Sequence, residues 1–97
     1  MKILKAPFEF EWDQGNKDKN LLKHGIRDEE CEEAFFDPEK KILKDILHSK
    51  NEPRYILLGK TKKERILFLV FTLRKTKIRI ISVRNLNKKE SKLYESI

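Results

Sequence analysis

The sequence contains one cysteine and no long apolar run among its 97 residues. A lone Cys31 cannot form an intramolecular disulfide, which excludes a disulfide-stabilised scaffold and fits a reducing compartment. The longest apolar run, residues 66–71, is far shorter than the roughly 20 residues that a membrane-spanning helix needs. Residues 1–7 lack the apolar stretch and cleavage site of a signal peptide. We therefore expect a cytoplasmic protein that does not bind or cross a membrane.

Metal-ligand spacings and paired-carboxylate motifs are absent from the sequence as well. The two histidines, His24 and His48, are isolated from each other and from Cys31, whereas metal sites bring several such ligands together. We therefore expect no metal and no other cofactor. Cys31 is interpreted as a small buried hydrophobic side chain, and Trp12 is expected to pack in the core.

Charge is what the chain has in excess. Charged residues make up 40% of the sequence, and the formal net charge is +7 at pH 7. Residues 28–33 hold five acids, while residues 60–65 and 74–92 are strongly basic. A basic surface attracts nucleic acid, although an acidic protein partner would explain the same excess.

Local patterns predict a single α+β domain over residues 1–97, in the order β-α-α-β-β-β-β-α, with helices packed on a mainly antiparallel sheet. The predicted elements are strand 8–12, helix 13–24, helix 29–36, strands 41–47, 54–59, 66–73 and 77–83, and helix 87–97. Asp13, Asp28 and Asn87 are the expected N-caps, and Gly25 ends the first helix. Leu93 is expected on the inner face of the last helix.

The last predicted hairpin brings two arginines onto one face of the sheet. If residues 75–76 form a two-residue turn, Arg74 pairs with Lys77 and Thr72 lies opposite Arg79. Arg74 and Arg79 are then diagonal neighbours on the same face.

The preceding hairpin adds a third arginine to that face. If Leu58 pairs with Ile66, Arg54 lies opposite Val70, on the side of the other two arginines. Strict alternation along the last strand places Arg84 on the opposite face. Adjacent guanidinium groups repel unless an anion lies between them, and their planar geometry matches a phosphate. A solvated face, or pairing with Glu52 and Glu64, would explain the same arginines without a ligand.

An arginine clamp suits the cleavage of RNA, because it stabilises the negative charge that develops on the phosphoryl oxygens in the transition state. RNA supplies its own 2′-OH nucleophile, so neither a metal nor a covalent side chain is needed. Lys23, His24, Glu90 and Tyr94 are candidates for proton transfer or RNA contact. Each has a structural alternative: His24 closes its helix, Glu90 completes a capping box with Asn87, and Tyr94 packs on the sheet.

Several short segments, spread in order over residues 12–95, resemble the BrnT toxins. The similar segments are Trp12-Asp13, Asn20, Lys23-His24-Gly25, Phe35 with Asp37-Pro38, the E-x-R-Y-x-x-x-G pattern of residues 52–59, and R-x-x-x-I-R-I-I-S-x-R followed by E-x-x-x-Y between Arg74 and Tyr94. The chain departs from the family pattern at three positions. Asn16 replaces the usual lysine, and Val83 and Leu86 replace small alanines.

The resemblance implies a RelE-like fold and a metal-independent ribonuclease toxin that inhibits translation. It also implies a BrnA-type ribbon-helix-helix antitoxin, with DNA bound only through the toxin–antitoxin complex. The predicted catalytic residues are Arg54, Arg74, Arg79 and Glu90, and the predicted substrate-binding residues are Lys23, His24, Arg84 and Tyr94. Two alternatives stay open: a nucleic-acid-binding module without catalysis, and a protein-interaction domain whose basic face receives an acidic partner.

Overall fold

The computed structural model describes Leu4, residues 7–45 and residues 51–96. Its elements are β1 (Glu9–Phe10), α1 (Lys19–His24), α2 (Asp28–Ala34), β2 (Lys41–Asp45), β3 (Arg54–Lys60), β4 (Ile66–Arg74), β5 (Lys77–Asn85) and α3 (Lys88–Glu95). The predicted α+β class and element order are confirmed. The end of the predicted strand 41–47, together with His48, lies outside the described residues. None of the helices in the described ranges is long and apolar enough to span a bilayer.

The five strands form one mixed sheet in the order β1-β5-β4-β3-β2. The neighbours from β2 to β5 run antiparallel, which confirms the predicted, mainly antiparallel sheet. The short β1 instead pairs in parallel with β5, with Glu9 opposite Lys77 and Phe10 opposite Ile78. The first strand of the chain therefore lies beside the last one, so residues 9–13 lie near those of β5.

The core lies on one face of this sheet, under α1 and α2. Inward residues of β4 alternate along the strand, and their side chains are fully buried, as expected for a strand in the middle of the sheet. Cys31 is fully buried among them, which confirms its interpretation as a small hydrophobic residue. A Cβ at Gly59 would lie 2.4 Å from the Ala34 carbonyl oxygen, so this glycine allows α2 to approach β3 closely. The core is Ile26, Cys31, Ala34, Phe35, Leu57, Leu67, Leu69, Phe71, Ile78, Ile80 and Val83, with Trp12 packed against it.

One of the two assumed registers is confirmed and the other is wrong by two residues. Arg74 pairs with Lys77 across the turn at residues 75–76, and Lys75 adopts a φ of 59° there. Leu58, however, pairs with Phe68 rather than Ile66. The reason is that β3 continues to Lys60, and the connection at residues 61–65 is closed by a hydrogen bond from Thr61 N–H to the Arg65 carbonyl. A shift by an even number of residues keeps every side chain on its predicted face.

The helices at the start of the chain are shorter than predicted. α1 begins at Lys19, because the Asp13 carboxylate accepts hydrogen bonds from Gly15 N–H and from Arg79 instead of capping a helix. Asp28 is the first residue of α2 rather than its cap, and its carboxylate accepts from Asp18 N–H at 3.0 Å. Gly25 ends α1 with a φ of 68°, as predicted.

The last helix begins as predicted but presents a different residue to the protein. Asn87 is its N-cap and forms a capping box with Glu90. The prediction for Leu93 is wrong, because this side chain is 44% exposed while Tyr94 is buried. The Tyr94 hydroxyl donates a hydrogen bond of 2.6 Å to Asp37, which lies three residues after the end of α2. This bond fixes which side of α3 faces the protein.

Candidate active site: an arginine–carboxylate cluster on the sheet

The sheet face opposite the core carries Thr72, Arg74, Arg79 and Arg84, and we call it the arginine face. Thr72 pairs with Arg79, and Arg74 lies at the end of the same strand. The next residue after Arg54, Tyr55, pairs with Phe71, so Arg54 lies beside Thr72 rather than opposite Val70 as predicted. Thr72 is fully buried and donates a hydrogen bond of 2.7 Å to the Pro53 carbonyl. The structure therefore places Arg54, Arg74 and Arg79 at one end of this face.

Arg79 is held by two carboxylates from the segment that follows β1. Its guanidinium donates to both carboxylate oxygens of Asp13, at 2.7 and 3.0 Å, and to Glu11 Oε1 at 3.0 Å. The Arg79 side chain is only 14% exposed. The hydrogen bonds from Arg79 are the main reason that the pKa of Asp13 is lowered. Likewise, the Asp13 carboxylate raises the pKa of Arg79.

Arg74 forms an ion pair with the same Glu11 oxygen. Its Nη1 is 3.6 Å from Glu11 Oε1, and its Nε and Nη2 each donate to Glu52 at 3.4 Å. Arg74 is 48% exposed, so it is far more accessible than Arg79. Arg74 thus pairs with Glu52, which is the alternative to a bound anion that the sequence left open. We call Glu11, Asp13, Glu52, Arg74 and Arg79 the arginine–carboxylate cluster.

A β-bulge decides the orientation of Arg84. Val70 pairs with Ser82 whereas Phe71 pairs with Ile80, so Ile81 is the extra residue of β5. The bulge reverses the alternation beyond this point and returns Arg84 to the face of Arg79, opposite Phe68. The prediction of the opposite face is therefore wrong, because it assumed an unbroken strand.

Glu90 is bound to Arg84 and stands apart from the cluster of Arg74 and Arg79. The Arg84 guanidinium donates to both Glu90 oxygens, at 2.7 and 2.6 Å, and lies 4.1 Å above the ring of Phe68. These hydrogen bonds are the main cause of a lowered pKa at Glu90. A carboxylate with both oxygens bound and a lowered pKa is a poor proton acceptor, which favours the capping and pairing role of Glu90.

The remaining predicted substrate-binding residues lie outside the cluster. Tyr94 is 8% exposed and bonded to Asp37, an arrangement that favours packing over contact with RNA. Burial raises the pKa of Tyr94, and the hydrogen bond to Asp37 raises it further. Lys23 and His24 are exposed in the last turn of α1, where a cation is favourable. Both are accessible to a ligand in solution.

Two buried asparagines, Asn16 and Asn20, form hydrogen bonds with the backbone of β5 beyond the end of β1. Asn16 Nδ2 donates to the Ile80 carbonyl at 3.1 Å and to the Glu11 carbonyl at 2.9 Å. Asn20 Oδ1 accepts from Val83 N–H at 3.3 Å. Each asparagine is 2% exposed. The position that usually holds a lysine in the family is thus a buried structural position in this chain.

The cluster carries a formal net charge of −1, because its three carboxylates outnumber its two guanidinium groups. The sequence prediction identified the arginines but missed Glu11 and Asp13. Their proximity follows from the parallel pairing of β1 with β5, which no local pattern specifies. The only signal in the sequence was the alternation of residues 8–12, which places Glu9 and Glu11 on the polar side of the strand.

The cluster combines two kinds of group that can act in the cleavage of RNA, since guanidinium groups bind phosphate and carboxylates accept protons. Within the described ranges, no group of three or more histidine, cysteine, aspartate or glutamate side chains is arranged to hold a metal ion. Over residues 12–90 the chain matches the model of a ribonuclease toxin of type II toxin–antitoxin systems. That family is BrnT, and the chain belongs to it. No curated protein matches the chain.

Proposed function

We propose that this protein cleaves RNA without a metal, by attack of a ribose 2′-OH on the adjacent phosphodiester, with Arg54, Arg74 and Arg79 contacting the phosphate. One observation carries the proposal. Arg74 Nη1 and Arg79 Nη1 lie 3.6 and 3.0 Å from the same carboxylate oxygen, Glu11 Oε1. Two guanidinium groups that already share one anionic oxygen have the spacing to share a phosphate oxygen.

The two arginines differ in how they would act. Arg74 is 48% exposed, and its hydrogen bonds to Glu52 are long, so a phosphate can replace that carboxylate. Arg79 is 14% exposed and fixed by Asp13, so it is already oriented before RNA binds. A guanidinium held in place stabilises developing charge with little reorganisation.

Further contacts to RNA would come from cations around the cluster. Arg84 lies on the arginine face and is 42% exposed, while Lys23 and His24 are exposed on α1. The excess of seven positive charges supports the approach of a polyanion. Family membership supports the wider biology: cytoplasmic inhibition of translation, neutralisation by a BrnA-type ribbon-helix-helix antitoxin, and DNA binding only through that complex.

The direct test is incubation of the purified protein with total RNA, with and without EDTA. We expect cleavage in both conditions and products that end in 2′,3′-cyclic phosphate. Arg74→Ala should lower the cleavage rate about 100-fold, the usual effect of losing one donor to a developing oxyanion. Arg65→Ala is the matched control, because the Arg65 side chain is 38% exposed and is ion-paired with Glu30, outside the cluster.

The other outcomes separate the alternatives. RNA binding by the wild type without cleavage would contradict the proposal and favour a nucleic-acid-binding module. Neither binding nor cleavage would favour a protein-interaction domain. Cleavage that stops in EDTA would overturn the metal-independent chemistry.

A further inference from the structure

We propose that Glu11 is the general base of the reaction, accepting the proton of the attacking 2′-OH; this inference rests on the proposed function. The sequence left this role without an assigned residue. Glu11 contacts both arginines of the cluster, through a single oxygen, Oε1.

Among the described residues, Glu11 differs from the other two carboxylates of the cluster, because one of its oxygens makes no hydrogen bond there. Asp13 has both oxygens bound by Arg79, and Glu52 has both bound by Arg74. In the described part of the chain, Glu11 Oε2 makes no hydrogen bond, while Oε1 is held by Arg79. Glu11 therefore has an anchored carboxylate with one oxygen left to accept a proton.

The position of Glu11 matches what the reaction requires. A phosphate bound by Arg74 lies next to Glu11, because Arg74 Nη1 is 3.6 Å from the Glu11 carboxylate. In a reactive geometry the attacking oxygen is about 3 Å from phosphorus. A general base must lie about 2.6–3.2 Å from the oxygen that it deprotonates. A carboxylate beside the bound phosphate can reach the 2′-OH of the same nucleotide at that distance.

The backbone around Glu11 is well fixed. Glu11 N–H donates to the Ile78 carbonyl at 2.8 Å, and the Glu11 carbonyl accepts from Asn16 at 2.9 Å. Its side chain is 31% exposed, so solvent can carry the proton away. Arg79 therefore positions Glu11 in addition to contacting the phosphate, while Arg74 is the more exposed of the two phosphate contacts.

The proposed step balances without a redox partner. Glu11 takes the proton from the 2′-OH, the 2′-oxygen forms a bond to phosphorus, and the bond from phosphorus to the 5′-oxygen breaks. The departing 5′-oxygen takes a proton from water, and Glu11 returns its proton to the resulting hydroxide. The products are a 2′,3′-cyclic phosphate and a free 5′-OH.

The test compares Glu11→Gln with wild type in single-turnover cleavage of single-stranded RNA and in binding to a 2′-O-methyl RNA that cannot be cleaved. We expect cleavage to fall about 10²- to 10⁴-fold, the usual contribution of a general base. Binding should stay equal or tighten, because the substitution removes a negative charge beside the phosphate. Glu9→Gln is the control, since it removes the same charge two residues earlier in the chain, at an exposed position of β1.

A second variant tests the base directly. In Glu11→Ala, added formate should restore part of the cleavage rate, because a small carboxylate can occupy the vacated space; formate should not restore Arg74→Ala. Wild-type cleavage that Glu11→Gln leaves unchanged would overturn the role of Glu11 and leave the proposed function standing. The role of Glu11 would also be overturned if its variants lost RNA binding and thermal stability together and formate did not restore cleavage. A wild type that cleaves no RNA would overturn both.

Discussion

Asp13 binds Arg79 through both carboxylate oxygens, at 2.7 and 3.0 Å, across 66 residues of sequence. Asp13 lies three residues after the end of β1, and Arg79 lies in β5, so this ion pair joins the start of the family match to the last strand of the sheet. Since Arg79 is 14% exposed, the pair belongs to the folded architecture as well as to the candidate active site. Arg74, at 48% exposure, lacks that structural role.

This difference predicts unequal effects on stability for two similar substitutions. Arg79→Ala should lower the melting temperature clearly more than Arg74→Ala, because it leaves Asp13 and Glu11 without their closest cation. Both variants should lose RNA cleavage. Thermal unfolding followed by circular dichroism measures the first effect. Equal melting temperatures for the two variants would show that the ion pairs of Arg79 with Asp13 and Glu11 do not stabilise the fold.

A second prediction concerns the buried hydrogen bond between Tyr94 and Asp37. Burial alone would raise the pKa of Asp37, but hydrogen bonds from Tyr94 and from the N–H groups of Glu39 and Lys60 outweigh it and lower the pKa. Tyr94→Phe removes one of these donors, and we expect a loss of about 1–3 kcal/mol in the free energy of unfolding. Urea denaturation measures the loss.

Tyr55→Phe is the matched control for that experiment. The Tyr55 ring packs against Phe71, and its hydroxyl makes no hydrogen bond within the described residues, so the same chemical change should cost little there. Cleavage by Tyr94→Phe should stay at the wild-type rate. A stable variant with weakened RNA binding would instead restore Tyr94 as a substrate contact.

The fold could be predicted from the sequence because its signals are local. Alternation in β4, the glycine that ends α1 and the capping box of α3 each depend on a few neighbouring residues. The sheet face of Arg54 was predicted correctly although the register was wrong, because a shift of two residues leaves each side chain on the same face. Leu93 was misplaced because one hydrogen bond, from Tyr94 to Asp37, sets the rotation of a short helix.

The candidate site was only half predictable because its other half depends on long-range contacts. Glu11 and Asp13 meet Arg79 only through the parallel pairing of β1 with β5. The orientation of Arg84 depends on a bulge at Ile81, which interrupts a strand with no glycine or proline to indicate it. The composition showed an excess of positive charge, but it did not show that Arg74, Arg79 and Arg84 each form an ion pair with a carboxylate.

Asn16 provides a third prediction, since the family usually has a lysine at this position. If a lysine there contacted phosphate, Asn16→Lys would increase cleavage. The structure predicts the opposite: Asn16 is 2% exposed and bonded to the carbonyls of Glu11 and Ile80, so a lysine would bury a charge and break both bonds.

We therefore expect Asn16→Lys to lower the melting temperature and to leave cleavage at or below the wild-type rate. Lys17→Asn is the control, because residue 17 is exposed and the substitution exchanges the same two residue types in the opposite direction. It should leave the melting temperature nearly unchanged. A stable Asn16→Lys variant that cleaves RNA faster would show that this position faces the substrate.

The pair of Glu90 and Arg84 makes the pH dependence of stability testable. The hydrogen bonds from Arg84 are the main reason that the pKa of Glu90 lies below its usual 4.5. A carboxyl group with a lowered pKa in the folded state stabilises the protein fully above its unfolded pKa, and that contribution is lost as the pH falls through the folded pKa. Glu90→Gln should thus destabilise the protein at pH 7 and flatten the decline in stability below about pH 4.5.

The size of this effect is limited by solvent. Arg84 is 42% exposed, so water screens the pair, and we expect a difference of about 1 kcal/mol at neutral pH that shrinks in high salt. Glu95→Gln is the matched control, because Glu95 is an exposed glutamate on the same helix. Urea unfolding of wild type and both variants between pH 7 and pH 3 gives the three curves.

If the curve of Glu90→Gln ran parallel to that of the wild type, the ion pair with Arg84 would not contribute to folding. A decline that is less steep in Glu90→Gln alone would establish that Arg84 holds Glu90 ionised in the folded protein, and so that Glu90 is unsuited to accept the proton of a 2′-OH.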